Sequence, residues 1–447
     1  MGMLRSLLLI VGLIIGMMGK EVDSDCYALL YDAGSTGTRQ LVYRWNCKQR
    51  IFLPIHIDIF QYPLMEKGGK GLHTLQSVSE IKEYFEDFFI QAKLNIFGKL
   101  ESSLEKANIF VYLWGTGGIR SLPREVSKSL LEKVEIVFRQ AGLNCLNCTG
   151  ILSGKMEGAY SWIAVNYLLG TLGPSLEERK KTVGVIDIGG QSAQITFLTF
   201  PDVAIRKHKK TIKLGKLKYN LYIKSHNNYG QQAALNRILK QIIEENPSSN
   251  EVKFPCFLRG YSSNFTFEDV KNFSQNRLVV GTGNPRECID LIHDHFNQAV
   301  PCKIPPCSIN GSYQATVSPT THFYTISSAV YVNEFFSRPF RYDQLISNKL
   351  KNFISKFCQK NWKDVLAELS NSEPTKYLSN YCFVGLYVIE LMTKGLLLNE
   401  NEIIHAQKQY NNFDLFWIFG YLISFLSERP RSLSCHSFSN SSRSPNF

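Results

Sequence analysis

Asp32, Ser35, Thr36, Gly37 and Thr38 fall within one seven-residue stretch, Asp-Ala-Gly-Ser-Thr-Gly-Thr, set between two apolar runs in residues 27–45. Glycines and hydroxyls at a tight turn can aim several N–H and O–H groups at one point, which makes an anion cradle. Asp32 leaves the first run at the edge of that cradle, where a metal riding on a phosphate needs oxygen ligands. One such turn is equally an ordinary glycine-rich hairpin whose Asp caps its own backbone. A second copy changes the weighing. Residues 183–197 read VGVIDIGGQSAQITF: an apolar run, Asp187, a turn with Gly189, Gly190 and Ser192, and another apolar run. Two such units predict two similar halves facing each other, with a polyphosphate and its divalent metal between Asp32 and Asp187. Phosphoryl transfer to water also needs a group that orients or deprotonates the water. Glu157, placed just before Gly158 at the start of a predicted helix, is a candidate general base. On spacing alone its stronger reading is a glutamate favoured by the helix dipole.

These residues must be held by the elements around them. Residues 27–45 read as a β-hairpin, and 51–63 continue as β-like sequence. Residues 77–100 have helical spacing, with Ile81, Tyr84, Phe85, Phe88, Phe89 and Ala92 on one face. A short buried strand at 109–113 leads into the glycine-rich segment Trp114–Arg120. A helix follows over 121–139, with Pro123 in its first turn, and another over 155–169. The strand–turn–strand pattern restarts at Val183. Residues 230–245 read as a helix and 255–307 as loop. Helical spacing returns at 325–336, 342–356, 362–370, 381–397 and 413–426. The Ser-rich stretch 429–447 is expected to be disordered.

Bulk properties narrow the class. The chain has 447 residues, enough for two or three domain-sized units, and its 44% hydrophobic share is that of a globular protein. The net charge of +12 would suit nucleic acid, an anionic membrane or a phosphate substrate. No long Lys/Arg block of nucleic-acid type is present, and Arg206, Lys207, Lys209 and Lys210 read as a solvated loop. Arg5, the apolar run 7–18 and Lys20 read as a secretory signal. The cleavage rule is poorly met near 17–19, so an uncleaved anchor is the alternative. The 11 cysteines fall largely in close pairs, Cys26/Cys47, Cys145/Cys148, Cys302/Cys307 and Cys358/Cys382, while Cys256 and Cys288 bracket one segment. That usage fits disulfides in an oxidising compartment. Cys145-x-x-Cys148 could begin a zinc site, but no second CxxC or His pair completes one. Cys435 is left over. Sequons stand at Asn147, Asn264, Asn272, Asn310 and Asn440.

Five stretches in order then carry a resemblance. They are Asp32-Ala-Gly-Ser-Thr-Gly-Thr38, Gly115-Thr-Gly-Gly-Ile-Arg120, Gly154-Lys-Met-Glu-Gly-Ala-Tyr-Ser-Trp162, Asp187-Ile-Gly-Gly-Gln-Ser-Ala-Gln194 and Ser225-His-Asn-Asn-Tyr-Gly230. Together they resemble the apyrase or ecto-nucleoside triphosphate diphosphohydrolase (NTPDase) family, over nearly the whole chain after residue 26. The resemblance implies an α/β fold of two RNase H-like lobes with a central cleft, as in actin, sugar kinases and heat-shock chaperones. On that basis residues 27–165 form the first lobe, completed by a helix at 413–430. Residues 166–412 form the second, 1–26 a signal peptide or N-terminal anchor, and 431–447 a disordered tail. The implied activity is hydrolysis of nucleoside tri- and diphosphates, dependent on Ca2+ or Mg2+, outside the cell or in the secretory lumen. By motif position Glu157 resembles the catalytic base, Ser192 and Gln194 the residues that place the water, and Thr116 a support near the terminal phosphate. Ser35, Thr36, Gly37, Thr38, Gly189, Gly190 and Ser192 fall to the phosphates, and Asp32 and Asp187 to the metal. Tyr331 and Tyr381 resemble the pair that sandwiches the base.

The departures are Gly115 and Gly117, where the family usually has alanines, and Lys155 and Met156, where it is commonly acidic or polar. The added glycines are expected to loosen their loop. The cell-surface branch usually ends in a membrane helix. Here the sequence after Arg429 is polar, so a secreted or luminal form is expected, or one held only by its N-terminus. Nucleic acid is not expected as a partner. The rivals are a kinase of the same fold and a catalytically weak or silent nucleotide binder.

Overall fold

The computed structural model describes residues 25–47, 58–98, 104, 108–199, 209–268, 274–337, 344–371, 373–401 and 403–428. The predicted leader up to residue 24, Arg206, Lys207, the sequons at Asn272 and Asn440, Cys435 and the Ser-rich stretch lie outside the described residues.

The first Asp turn is a hairpin. β1 (Asp25–Gly34) and β2 (Gly37–Asn46) run antiparallel, with Asp32 opposite Arg39 and Gly34 opposite Gly37. β3 (Ile59–Gln61) and β4 (Met65–Gly68) add to the far side of β2, and β4 sets Glu66 opposite Arg39. A Cβ at Gly37 would run into the Lys67 carbonyl, so only glycine lets β4 close on the turn. β5 (Ile109–Gly115) runs parallel to β1, and β6 (Thr149–Ile151) parallel to β5. α1 (Val78–Phe97) starts in a capping box between Ser77 and Glu80. With α2 (Arg124–Gln140) it covers one face of this sheet, where Tyr31, Phe85, Phe88 and Phe138 interlock with centroids 5.0–5.9 Å apart. Pro123 is the cap before α2 rather than a residue of its first turn.

The second Asp turn repeats the plan. α3 (Gly154–Leu168) leads to the hairpin of β7 (Gly184–Ile188) and β8 (Ser192–Leu198), with Asp187 opposite Gln194. β9 (Lys209–Leu214) and β10 (Leu217–Asn227) widen the sheet beyond β8. α4 (Gln231–Glu245) follows. A separate small sheet holds β11 (Glu251–Phe254), β12 (Ser262–Glu268) and β13 (Ser274–Gly281). α5 (Pro285–Phe296) comes next, and β14 (Phe323–Ser327) then lies parallel to β7. α6 (Ser328–Ser337) leads to β15 (Gln344–Ile346) and α7 (Ser347–Cys358). α8 (Tyr381–Glu390) ends in a π-helical turn, Leu391–Gly395, and β16 (Ile403–Ala406) pairs with β14. The order β2–β1–β5–β6 in one sheet therefore matches β8–β7–β14–β16 in the other.

Further expectations change here, among them the loop reading of 255–307, which holds β12 and β13. Residues 323–327 are a central strand, not the start of a helix. Phe-Tyr-Thr-Ile-Ser rests in the sheet interior and runs straight into α6, so it has too little alternation to be read as a strand. Residues 285–296, read as loop, form α5, capped by Asn284 with Pro285 at its first position.

α9 (Trp417–Ser427) completes the described fold, starting later than expected because Phe413–Asp414 pairs as a short strand. α3 and α9 lie against each other between the sheets. Their common core takes Leu30 and Tyr43 from one side and Val185 and Leu221 from the other. Both helices are buried nearly all round, which is why neither has a clear amphipathic period. Among the described residues no helix is long and apolar enough to cross a membrane. Among the described residues five disulfides join Cys26–Cys47, Cys145–Cys148, Cys256–Cys288, Cys302–Cys307 and Cys358–Cys382.

The α3–α9 crossing depends on one residue: a Cβ at Gly420 would run into the carbonyl oxygen of Tyr160 on α3. Gly420→Ala is expected to destabilise the chain by about 1–3 kcal/mol through overpacking. Denaturant midpoints of the two proteins check this; an unchanged midpoint would mean the helices can part at no cost.

Candidate active site

The corresponding places in the two sheets bring the Asp turns together. Asp32 and Asp187 each sit near the turn of a hairpin, on the strand that also has a parallel neighbour. A Cβ on Gly190 would lie 2.8 Å from Ser35 Oγ and 3.1 Å from Thr36 Cγ2, so the two turns touch. The loop after β5 joins them, since a Cβ on Gly117 would lie 2.5 Å from Gln191 Cβ. A Cβ on Gly115 would likewise fall 2.9 Å from Ile119, so both glycines sit in a close-packed loop.

Each carboxylate has its own partners. Asp32 takes a bond from Arg39 Nη1 at 3.3 Å and stands 3.5 Å from Thr116 Oγ1. Asp187 accepts from Ser161 Oγ of α3 at 3.0 Å and from Ser327 Oγ at the end of β14 at 2.7 Å. Ser153 caps α3 and places Glu157 in its first turn. Arg120 Nη1 donates to Glu157 Oε2 at 3.2 Å and to the Leu152 carbonyl at 2.7 Å, while Nη2 donates to Ser192 Oγ at 3.1 Å. Gln194 Nε2 donates to Ser192 Oγ at 2.9 Å and stands 3.4 Å from Glu157 Oε2.

Burial charges this site. Asp32 and Asp187 are each 4% exposed, and burial raises both above the usual carboxylate range. Arg39 opposes the rise at Asp32, and Asp187 adds to it. Glu157 is pushed up to about 8, first by burial, against the pull of Arg120 and with the help of Asp187 and Asp32. The three carboxylates therefore feel one another across a common space.

Not every predicted residue faces that space. Thr38 is fully buried beside Tyr84 of α1, on the opposite face of the sheet from Asp32. Tyr331 of α6 is 39% exposed and near Arg39 and Glu66. Tyr381 stacks on Phe335, centroids 3.9 Å apart and planes at 7°, so one of its faces is taken by a neighbour one turn on from Tyr331.

A model described as the GDA1/CD39 (nucleoside phosphatase) family matches residues 18–437. The chain belongs to this family. Over 443 residues it is 27% identical to mouse ectonucleoside triphosphate diphosphohydrolase 8, covering 92% of this chain and 84% of that one. Rat ectonucleoside triphosphate diphosphohydrolase 1 is 28% identical over 441 residues, covering 90% and 81%. Among solved structures, nucleoside triphosphate hydrolases from Neospora caninum superpose with a TM-score of 0.62 at 14% identity, over 95% of this chain and 97% of that one. That likeness agrees in fold with the two RNase H-like lobes described above. GDA1/CD39 membership supports nucleotide phosphohydrolase activity.

Five polar groups in this GDA1/CD39 site were given no role by the sequence reading: Arg39, Arg120, Ser161, Ser225 and Ser327. Arg39 shares a strand face with buried Leu41 and Tyr43, and a charge on an apolar face is a legible signal. Ser225 Oγ stands 3.3 Å from Gln194 Nε2. Ser327 gave no signal, because its strand was read as helix.

Among the described residues no three His, Cys, Asp or Glu side chains are grouped as a ready-made metal cage. The site still fits a hard dication. Asp32 and Asp187 are two buried oxygen donors whose charge burial leaves poorly screened, beside turns that can bind phosphate. An ion that keeps waters and takes phosphate oxygens needs no more from the protein.

Glu157 also couples the site to stability. Its proton is held more tightly folded than unfolded, so that contribution is full below the ordinary glutamate range and is lost as pH rises through about 8. Glu157→Gln, which does not titrate, is expected to raise the melting temperature relative to the parent, on the order of a few °C. The gain should be larger at alkaline than at acid pH. Melting curves across that range decide it; a gap independent of pH would contradict the raised carboxyl.

Proposed function

We propose that the chain hydrolyses the terminal phosphate of nucleoside tri- and diphosphates, using a divalent ion and a water activated by Glu157. The observation that carries this reading is the Arg120 fork, which ties Glu157 to Ser192 in a space shared with Asp32 and Asp187. Ser35, Thr36, Gly37, Gly189 and Gly190 supply O–H and N–H donors for phosphate oxygens. Asp32 and Asp187 would hold the ion, Ca2+ or Mg2+, largely through its waters. When bound, that ion neutralises charge on the terminal phosphates. Ser192 and Gln194 hold the water against Glu157, and Thr116 supports Asp32. The water oxygen bonds to the terminal phosphorus, and the bond from phosphorus to the bridging oxygen breaks. Glu157 takes the water's proton. The nucleotide, one phosphate shorter, leaves with the bonding pair beside inorganic phosphate. The base would rest between Tyr331 and Tyr381.

The same reading puts the chain in the secretory pathway, secreted or extracellular, and tethered at its N-terminus if the leader is not cleaved. Five disulfides and the sequons at Asn147, Asn264 and Asn310 support it. The second reading is a weak or silent nucleotide binder, for which the departures at Gly115, Gly117, Lys155 and Met156 are the warrant.

Phosphate release from ATP, ADP, UTP, UDP, GDP and AMP, with and without chelator, separates the two. Release from the di- and triphosphates, lost with chelator, is expected. No release from any of them selects the silent reading. Glu157→Gln is expected to lower turnover by roughly 100-fold or more while nucleotide binding persists. Because the base must be unprotonated, turnover of the parent should climb with pH to about 8. Arg120→Gln removes the cation that opposes the rise of Glu157, so its acid limb should move to higher pH; an unmoved limb would separate Arg120 from the base.

A further inference from the structure

We infer that Arg39 is a resident counter-ion of Asp32, which a divalent ion must displace, and that Glu66 is the carboxylate onto which it withdraws. The inference rests on the reading of Asp32 as a metal-holding residue.

Asp32, Arg39 and Glu66 are direct cross-strand neighbours on β1, β2 and β4, and so share one face of the sheet. The guanidinium spans both acids: Nη1 lies 3.3 Å from Asp32 Oδ2, and Nη2 lies 2.8 Å from Glu66 Oε1. The Asp32 contact is at the long end of a charged hydrogen bond, and the Glu66 contact is at its optimum. Nε has no acceptor among the described residues, so the fork is not saturated there. Phe416 carries the cation on its ring, 5.3 Å from the centroid, and gives it a surface to move along. The side chain is only 21% exposed, whereas Glu66 is 38% exposed. Glu66 therefore stands nearer solvent, where a cation pushed from Asp32 can go without losing its partner. The charge of Arg39 is also felt at Asp187, so it partly neutralises both acids on which a metal would draw. A dication drawn to Asp32, directly or through its waters, competes with the guanidinium for the charge of the same carboxylate and for the space beside Oδ2.

The test is Mn2+ affinity of the full chain without nucleotide, by calorimetry or by electron paramagnetic resonance of the free ion. Arg39→Gln is expected to tighten Mn2+ binding about fivefold or more. Arg39→Met, which keeps the stem on Phe416, should do the same if the glutamine variant folds poorly. Glu66→Gln should weaken binding, because Arg39 is then left to Asp32 alone. In the Arg39→Gln background the Glu66 change should have little further effect, since its action runs through the arginine. Equal effects of Glu66→Gln in both backgrounds would reduce its role to long-range charge and overturn the inference, as would unchanged affinity in both Arg39 variants. Asp32→Asn separates the two layers. If it leaves Mn2+ affinity intact, the metal-site reading fails; if it abolishes binding while the Arg39 variants stay level with the parent, only the counter-ion fails.

Discussion

Three carboxylates buried within reach of one another are the constraint on which this structure turns. Burial disfavours the charged forms of Asp32, Asp187 and Glu157, and the charge of Asp187 adds to this at Asp32 and at Glu157. A fold tolerates such a group only if fixed donors surround it. Arg39 and Arg120 supply cations, and Ser161 and Ser327 supply hydroxyls to Asp187. What remains is a concentration of negative charge beside two turns built from glycines and hydroxyls. Such a place suits a cation and the phosphates that travel with it.

The fold serves that cluster by repetition. Each sheet offers an Asp near the turn of an antiparallel hairpin, flanked by a parallel strand. The parallel strands have different tasks on the two sides. After β5 the chain turns into the loop of Thr116 and Arg120, while β14 ends on Ser327. α3 connects the halves, bringing Glu157 and Ser161 to the middle, and α9 braces it at Gly420. Packing far from the cleft therefore sets where the carboxylates meet.

Glycine serves this structure through the side chain it lacks. At Gly37, Gly117 and Gly420 it is the absence of a side chain that lets one backbone or side chain approach another. The substituted second motif belongs to this class. Gly117 lets the Thr116 loop close onto the Gln191 turn, so a change that looks like added freedom in the chain is a tighter contact in the fold.

The sequence by itself determined the two Asp turns, the strands around them, the helix that carries Glu157, the close cysteine pairs and the family. Those features are local: a turn needs its glycines, a hairpin its apolar flanks, and an ordered set of motifs survives in one dimension. It did not determine which face Thr38 takes, that residues 323–327 are a central strand, or that Arg39 and Arg120 are the cations of the site. Most of these depend on contacts between residues far apart in the chain, although Arg39 is only seven positions from Asp32. Ser327 reaches Asp187 across 140 positions, and Arg120 reaches Ser192 across 72. A short strand buried on both sides loses its alternation, and a charge reveals its purpose only once its partner is beside it. That is why the tertiary structure alone decided the electrostatics of the cleft.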